Sequence, residues 1–205
     1  MGVKKYLKER KYFIIAIFYL ILQIVVLIRH QGNYLNFLWL CNFAPILFAV
    51  FFFMKKLQII KSLISLTIVV DLFFLVDFFT SLIFNFGIFG QVQPYFQEGI
   101  LLILLTVLLH LTGFIALFVT HSVEPSKKTL WFSAAFLVLT YVVTLLFSPA
   151  NSYYNYILGT RPGYVSPGIP QIIITVLWPL LSFIFIVLPG YYFQLLIHRL
   201  QARKK

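Results

Sequence analysis

Six stretches of this chain are long and apolar enough to cross a lipid bilayer, and little lies between them. They run Tyr12–Ile28, Tyr34–Met54, Ile59–Phe84, Gly99–Thr120, Leu130–Ser148 and Gln171–Leu196. A spanning helix needs roughly 17–25 mostly apolar residues, so each run qualifies. The third and sixth are long enough to tilt or to end in the interface. The chain has 205 residues, 61% hydrophobic and 10% charged, whereas a soluble domain is nearer half apolar and a quarter charged. It cannot cover itself with a surface that water accepts. The expectation is an all-α, polytopic membrane protein, a six-transmembrane-helix bundle forming a single membrane domain over residues 1–205, with no internal repeat.

The basic residues set an orientation. Lys4, Lys5, Lys8, Arg10 and Lys11 precede the first run, and Lys55, Lys56 and Lys61 are counted between the second and third, although Lys61 falls two residues inside the third run's bounds. Lys127 and Lys128 lie between the fourth and fifth, and Arg199, Arg203, Lys204 and Lys205 follow the sixth. Of the sixteen Lys and Arg residues, only Arg29 and Arg161 fall on the opposite side. Positive charge stays cytoplasmic, so both termini are expected inside the cell membrane, as in a bacterial cytoplasmic membrane, with three loops outside. The third outer loop, Pro149 to Pro170, is the longest connection and is rich in Tyr, Asn and Pro. Its tyrosines suit either an interfacial aromatic belt or a functional loop.

The net charge of +11 does not point to nucleic acid, because the charges punctuate apolar runs instead of forming a basic face. They read as topology signals and contacts to anionic lipid heads. The single cysteine, Cys41, allows no internal disulfide. The basic start resembles a signal peptide, but no small-x-small cleavage site follows the long first run, so it reads as an uncleaved helix. Position 6 is Tyr6, which fails the myristoylation pattern. Phosphate loops, zinc-protease motifs, nucleophile elbows and dinucleotide fingerprints do not occur in the chain. No cofactor is expected.

Polar groups inside lipid are expensive, about 2.5–3.5 kcal/mol for a central Asp on insertion scales, so each is a candidate. Asp71 and Asp77 share the third run, but their spacing puts them on different helix faces. Each suits an interhelical hydrogen bond or a protonated functional carboxyl. His110 lies near the middle of the fourth run, without the second His or Cys that a metal site needs. It could be a proton carrier, a general base, a ligand or bundle glue. His30, His121 and His198 fall at helix ends. The second run reads Cys41-Asn42-Phe43-Ala44-Pro45. Pro45 lacks an amide hydrogen, so the Cys41 carbonyl loses its helical partner and the helix is expected to bend beside a thiol and an amide. Counted from the outer ends of their runs, Cys41 and His110 differ in depth by about 6 Å at about 1.5 Å per residue. Asp77 falls at a similar level to Cys41.

The stretches Leu40-Cys41-Asn42, Leu108-Leu109-His110 and Asn155-Tyr156-Ile157-Leu158-Gly159-Thr160-Arg161-Pro162 resemble the YwaF-like bacterial integral membrane family. That family is related to a eukaryotic transmembrane phospholipid acyltransferase and, more distantly, to androgen-induced and androgen-dependent hydrolases of fatty-acid esters. Trp178-Pro179 corresponds to the tryptophan–proline segment of the family, whose fuller Gly-Pro-Trp-Pro-Trp-Tyr run is Thr175-Val176-Leu177-Trp178-Pro179-Leu180 here. The resemblance implies a nucleophile on an early helix working with a histidine on a later one.

Two classes of function follow as expectations. In the first, a lipid acyltransferase or lipid-ester hydrolase, Cys41 attacks a phospholipid or fatty-acid ester with His110 as its base. Asn42 is then a candidate oxyanion donor, Asp77 a candidate to orient His110, and Asp71, Asn151 and Asn155 supporting polar residues. In the second, the protein is a small-solute-binding or proton-coupled transport protein using Asp71, Asp77 and His110, or a non-enzymatic accessory protein. The first run offers only Ala16 as a small residue for docking, and no inverted repeat supports a carrier. Membrane lipids are the expected partners in the first class.

Overall fold

The computed structural model describes residues 3–30, 34–88, 99–149 and 170–203. These residues are helical throughout, with no strand among them. The helices are α1 (Val3–Arg29), α2 (Leu40–Phe53), α3 (Leu57–Phe84), α4 (Ile100–Leu109), α5 (Thr112–Thr120), α6 (Lys127–Phe147), α7 (Gln171–Ser182) and α8 (Leu188–Ala202). A 3-10 turn, Tyr34–Leu38, leads into α2, and a π-helical segment, Phe183–Val187, joins α7 to α8. Four helices are long and apolar enough to cross a membrane: Arg10–Arg29, Leu57–Phe84, Lys127–Phe147 and Ile172–Ala202. The pair α4–α5, bent by 43° at its break, makes a fifth. Residues 150–169, which include Asn151, Asn155, Arg161 and the motif from Asn155 to Pro162, lie outside the described residues, as do residues 89–98.

The sequence predicts the second, fourth and sixth runs as single spans, with a bend in the second at Pro45; the structure interrupts each, the second ahead of Leu40. α2 alone has 14 residues, about 21 Å at 1.5 Å per residue, and the 3-10 turn supplies the rest of the expected run. In α4–α5, side chains compete for the backbone carbonyls. Thr106 Oγ1 donates to Leu102 O at 2.8 Å, His110 Nδ1 to Thr106 O at 2.8 Å, and Thr112 Oγ1 to Leu109 O at 2.8 Å. Such back-bonding weakens the ladder, and the helix parts at His110-Leu111. In the last span, Pro179 and Pro189 each lack a donor. The Leu188 amide reaches five residues back to Phe183 O, the bond of a π turn.

α3 is the hub. It packs against α2, α5, α6 and α8, and every residue from Ile60 to Ile68 is buried. α1 lies along α2 through stacked rings, Tyr19 on Phe48 at 5.1 Å and on Phe52 at 5.8 Å. Ser62 Oγ donates to Thr129 O, and Ser133 Oγ to Ser62 O, joining α3 to α6. α8 is seated by Gly190, where an added Cβ would stand 2.5 Å from Ser65 O. One turn on, Gln194 Nε2 donates to Lys61 O, Ser65 Oγ and Gly190 O.

The polar turns collect at one end. Met54 closes α2, Lys55 takes φ 53°, and the amides of Lys55 and Lys56 return to Phe52 O and Phe51 O. That is a Schellman closure with lysine in the place of glycine, and α3 starts at once. Gln58 Oε1 accepts from Ser126 and Thr129, tying this turn to the α5–α6 turn. His198 Nδ1 meets His121 O there, and Lys11 Nζ donates to Val119 O. Lys61 departs from the expectation. Counted in sequence as a loop charge, it lies inside α3 with no exposed surface. α3 begins at Leu57, two residues before the predicted start, and its neighbours close over the side chain.

Candidate functional site

The broken helix and the proline-bearing helix meet α1 and α3 in a polar interior at the end of the bundle opposite the basic turns. α1 delivers Tyr19, Gln23, Arg29 and His30; α2 delivers Cys41 and Asn42; α3 delivers Asp71 and Phe74; α4 delivers Thr106 and His110.

His110 closes α4 and is 9% exposed. Its ring lies flat against Phe74, with centroids 3.5 Å apart and planes 9° from parallel. Nδ1 is 2.8 Å from Thr106 O. A carbonyl only accepts, so Nδ1 carries the hydrogen and Nε2 is the ring's acceptor in the neutral form. Thr106 is itself held, because Arg29 Nη1 donates to its Oγ1 at 2.7 Å. A chain of contacts therefore runs from the end of α1 to the histidine. The Thr106 carbonyl occupies the orienting position for which the sequence offered Asp77.

Across the break, Asp71 Oδ2 accepts the Gly113 amide at 3.2 Å. That amide is one of the N-terminal donors of α5 that no helical carbonyl can reach, so α3 supplies the cap. A Cβ at position 113 would stand 2.6 Å from Thr67 Oγ1 and 2.7 Å from Asp71 Oδ2, which explains a glycine there. Tyr19 donates to Thr112 O at 2.6 Å, pinning the same turn from α1.

Cys41 lies in the first turn of α2 and is half-buried. Its thiol donates to Asn42 Oδ1 at 3.9 Å. Asn42 Nδ2 donates to Asn36 O at 2.9 Å, and Asn36 Nδ2 pairs with His30 Nδ1 at 2.9 Å. The backbone around Pro45 is held by a residue the sequence did not single out. Gln23 Nε2 donates to Asn42 O at 3.2 Å, and Gln23 Oε1 accepts from Ile46 N at 3.0 Å. One amide thus bridges the carbonyl and N–H that would pair one helical turn apart. The carbonyl it reaches is Asn42's, one residue beyond the Cys41 carbonyl that Pro45 deprives of a partner.

The structure therefore gathers several of the sequence candidates. Cys41 contacts Asn42; Asp71 caps the turn that follows His110. Asp77, fully buried, belongs elsewhere: an added Cβ on Gly87 would stand 2.6 Å from its Oδ1, and Ser81 lies alongside. Tyr19, Gln23, Arg29, Thr106 and Phe74 were not predicted. Two had signals: Gln23 interrupts an apolar run, and Arg29 breaks the charge alternation. No group of three or more His, Cys, Asp or Glu among the described residues could hold a metal ion.

No family model matches the chain, and neither a curated protein nor a solved structure does.

Proposed function

We propose that the chain is a six-span membrane protein with both termini cytoplasmic, and that its polar interior performs acyl chemistry on a membrane lipid ester, as the YwaF-like resemblance implies. The 3-10 turn and α2 together hold 5 and 14 residues, about 31 Å at 2.0 and 1.5 Å per residue, which matches the hydrocarbon thickness and makes the sixth span. The basic turns at one end of the bundle mark the cytoplasmic side.

The observation that carries the chemistry is His110. It is an interior imidazole held by a ring stack and by Thr106 O, with Nε2 as its acceptor, on the helix pair beside the one bearing Cys41. The thiol turns from Asn42 to His110, yields its proton to Nε2, and Sγ attacks the ester carbonyl. The tetrahedral intermediate collapses, the C–O bond breaks, and His110 returns the proton to the departing alcohol. Water or an acceptor hydroxyl then gives a proton to His110 and attacks the thioester, and Sγ leaves and is reprotonated. The amino end of α2 and the second Nδ2 hydrogen of Asn42 favour the oxyanion. An acyl chain enters sideways from lipid, with no need of a water-filled cleft.

The second reading is binding or proton-coupled transport of a small solute. The break at His110-Leu111, capped by Asp71, favours it, because irregular backbone at membrane depth is kept where it is enclosed by protein or lines a cavity.

The test is purified protein in detergent, given a fluorescent-acyl phospholipid and a lysophospholipid. Wild type transfers or hydrolyses the acyl group; Cys41→Ala and His110→Ala do not. Turnover that survives both substitutions overturns the mechanism. No turnover, with saturable solute binding lost in Asp71→Ala, establishes the second reading.

A further inference from the structure

The least explained group in the molecule lies away from this site. Lys61 has no exposed surface, and its Nζ makes no hydrogen bond among the described residues. Gln194 of α8, whose Nε2 donates to the Lys61 carbonyl, has its Oε1 equally buried and unpaired. The amide cannot be turned round to cure this, since Nε2 faces the backbone carbonyls of both Lys61 and Gly190. A donor and an acceptor on facing helices, α3 and α8, are thus both unmet. An unpaired buried ammonium costs several kcal/mol, and each such orphan calls for a function or a partner.

α8, which meets Lys61 through Gln194, ends a repeatedly interrupted span. It follows Pro179 and the π segment Phe183–Val187 and carries Pro189 in its own first turn. Kinks of this kind are where a helix bends. At its far end, His198 meets His121 O at 3.2 Å and Glu124 Oε2 at 3.9 Å, contacts that hold α8 against the α5–α6 turn. Lys61 lies four residues into α3, about 6 Å from its start, at the end of the bundle where the basic turns gather. Once uncovered, its flexible stem can carry the ammonium out to the interface.

We propose that α8 swings outward from α3 about the π segment and Pro189, uncovering Lys61 as a binding residue for a phosphate-type anion. A hydrogen phosphate, or a phosphodiester whose head group carries no compensating cation as choline does, supplies the acceptor that Lys61 lacks. Two sources present that group, a lipid head and free phosphate. The proposal is independent of the acyl chemistry and needs no turnover to read.

The full chain is placed in nanodiscs of phosphatidylcholine alone, of phosphatidylcholine with phosphatidylglycerol, or of phosphatidylcholine with millimolar inorganic phosphate. A water-soluble acetylating reagent is added and Lys61 is followed by mass spectrometry. In phosphatidylcholine alone, Lys61 is acetylated, more slowly than Lys127. Phosphatidylglycerol slows it several-fold and raises the unfolding midpoint, and Lys61→Met and Lys61→Gln lose that rise. Protection by inorganic phosphate assigns the site to the free anion; protection by phosphatidylglycerol alone assigns it to the lipid head. A Lys61 that never reacts while Lys127 is consumed overturns the proposal. So do Lys61 variants with the wild-type response to phosphatidylglycerol. If neither variant folds, hydrogen exchange of the wild type decides: residues 188–202 exchange faster than 57–70 if α8 opens, and equal protection refutes it.

Discussion

Gly190→Ala tests how closely α8 is seated on α3. The new Cβ would stand 2.5 Å from Ser65 O, 2.9 Å from Ser65 Cα and 3.0 Å from Ser65 C, all backbone atoms that cannot rotate away. Ordinary contact begins at 3.4 Å, so the two helices must part by roughly 1 Å against close packing. Overpacking of this kind costs about 1–3 kcal/mol. Gln194, one turn on, is drawn away from Lys61 O and Ser65 Oγ, at about 0.6 kcal/mol for each membrane hydrogen bond. Alanine is the better helix former, which returns about 1 kcal/mol. The net is a loss of about 1–3 kcal/mol, up to a hundredfold in the folded-to-unfolded ratio. Reversible unfolding in mixed micelles measures it, with Leu200→Ala on the exposed side of α8 as the control. Gly190→Ala with unchanged or raised stability would show that α8 does not rest on Ser65. Because the substitution lifts α8 from the seam, acetylation of Lys61 should also quicken.

Gln23→Leu removes the amide that bridges Asn42 O and Ile46 N. It should destabilise the protein by about 1–3 kcal/mol, and Pro45→Ala in the same chain should recover most of that, both read by the same unfolding titration. Asp71→Ala strips the cap from α5 and should cost about 1–3 kcal/mol, with faster hydrogen exchange at Thr112 and Gly113. Unchanged exchange there would remove Asp71 from that role. Reporters fused to either end, active only in the cytoplasm, should both report. Activity at one end alone would give an odd number of spans and remove the sixth.

Much of the architecture was legible in sequence, because lipid allows few answers. Apolar runs longer than a bilayer needs must become helices, and Lys and Arg mark their ends. The breaks were less legible. Pro45 lies inside a continuous α2, and the bend in α4–α5 comes from Thr106, His110 and Thr112 each taking a backbone carbonyl, which no single residue declares. Lys61 misled, since sequence shows a charge near a turn and cannot show that other helices close over it.

By itself the sequence determined that this chain is helical and suited to lipid, and it named Cys41, Asn42, Asp71 and His110 as costly groups that must be placed inside. The tertiary structure alone decided their company. It put Thr106 O on His110, Asp71 on Gly113 and Gln23 across the turn that holds Pro45, and it left the Lys61 ammonium without a hydrogen-bond partner among the described residues. The physical reason is the difference in range. Burial in lipid is fixed by each residue and its near neighbours along the chain, whereas a hydrogen bond between helices depends on rotations and offsets set by the packing of the whole bundle.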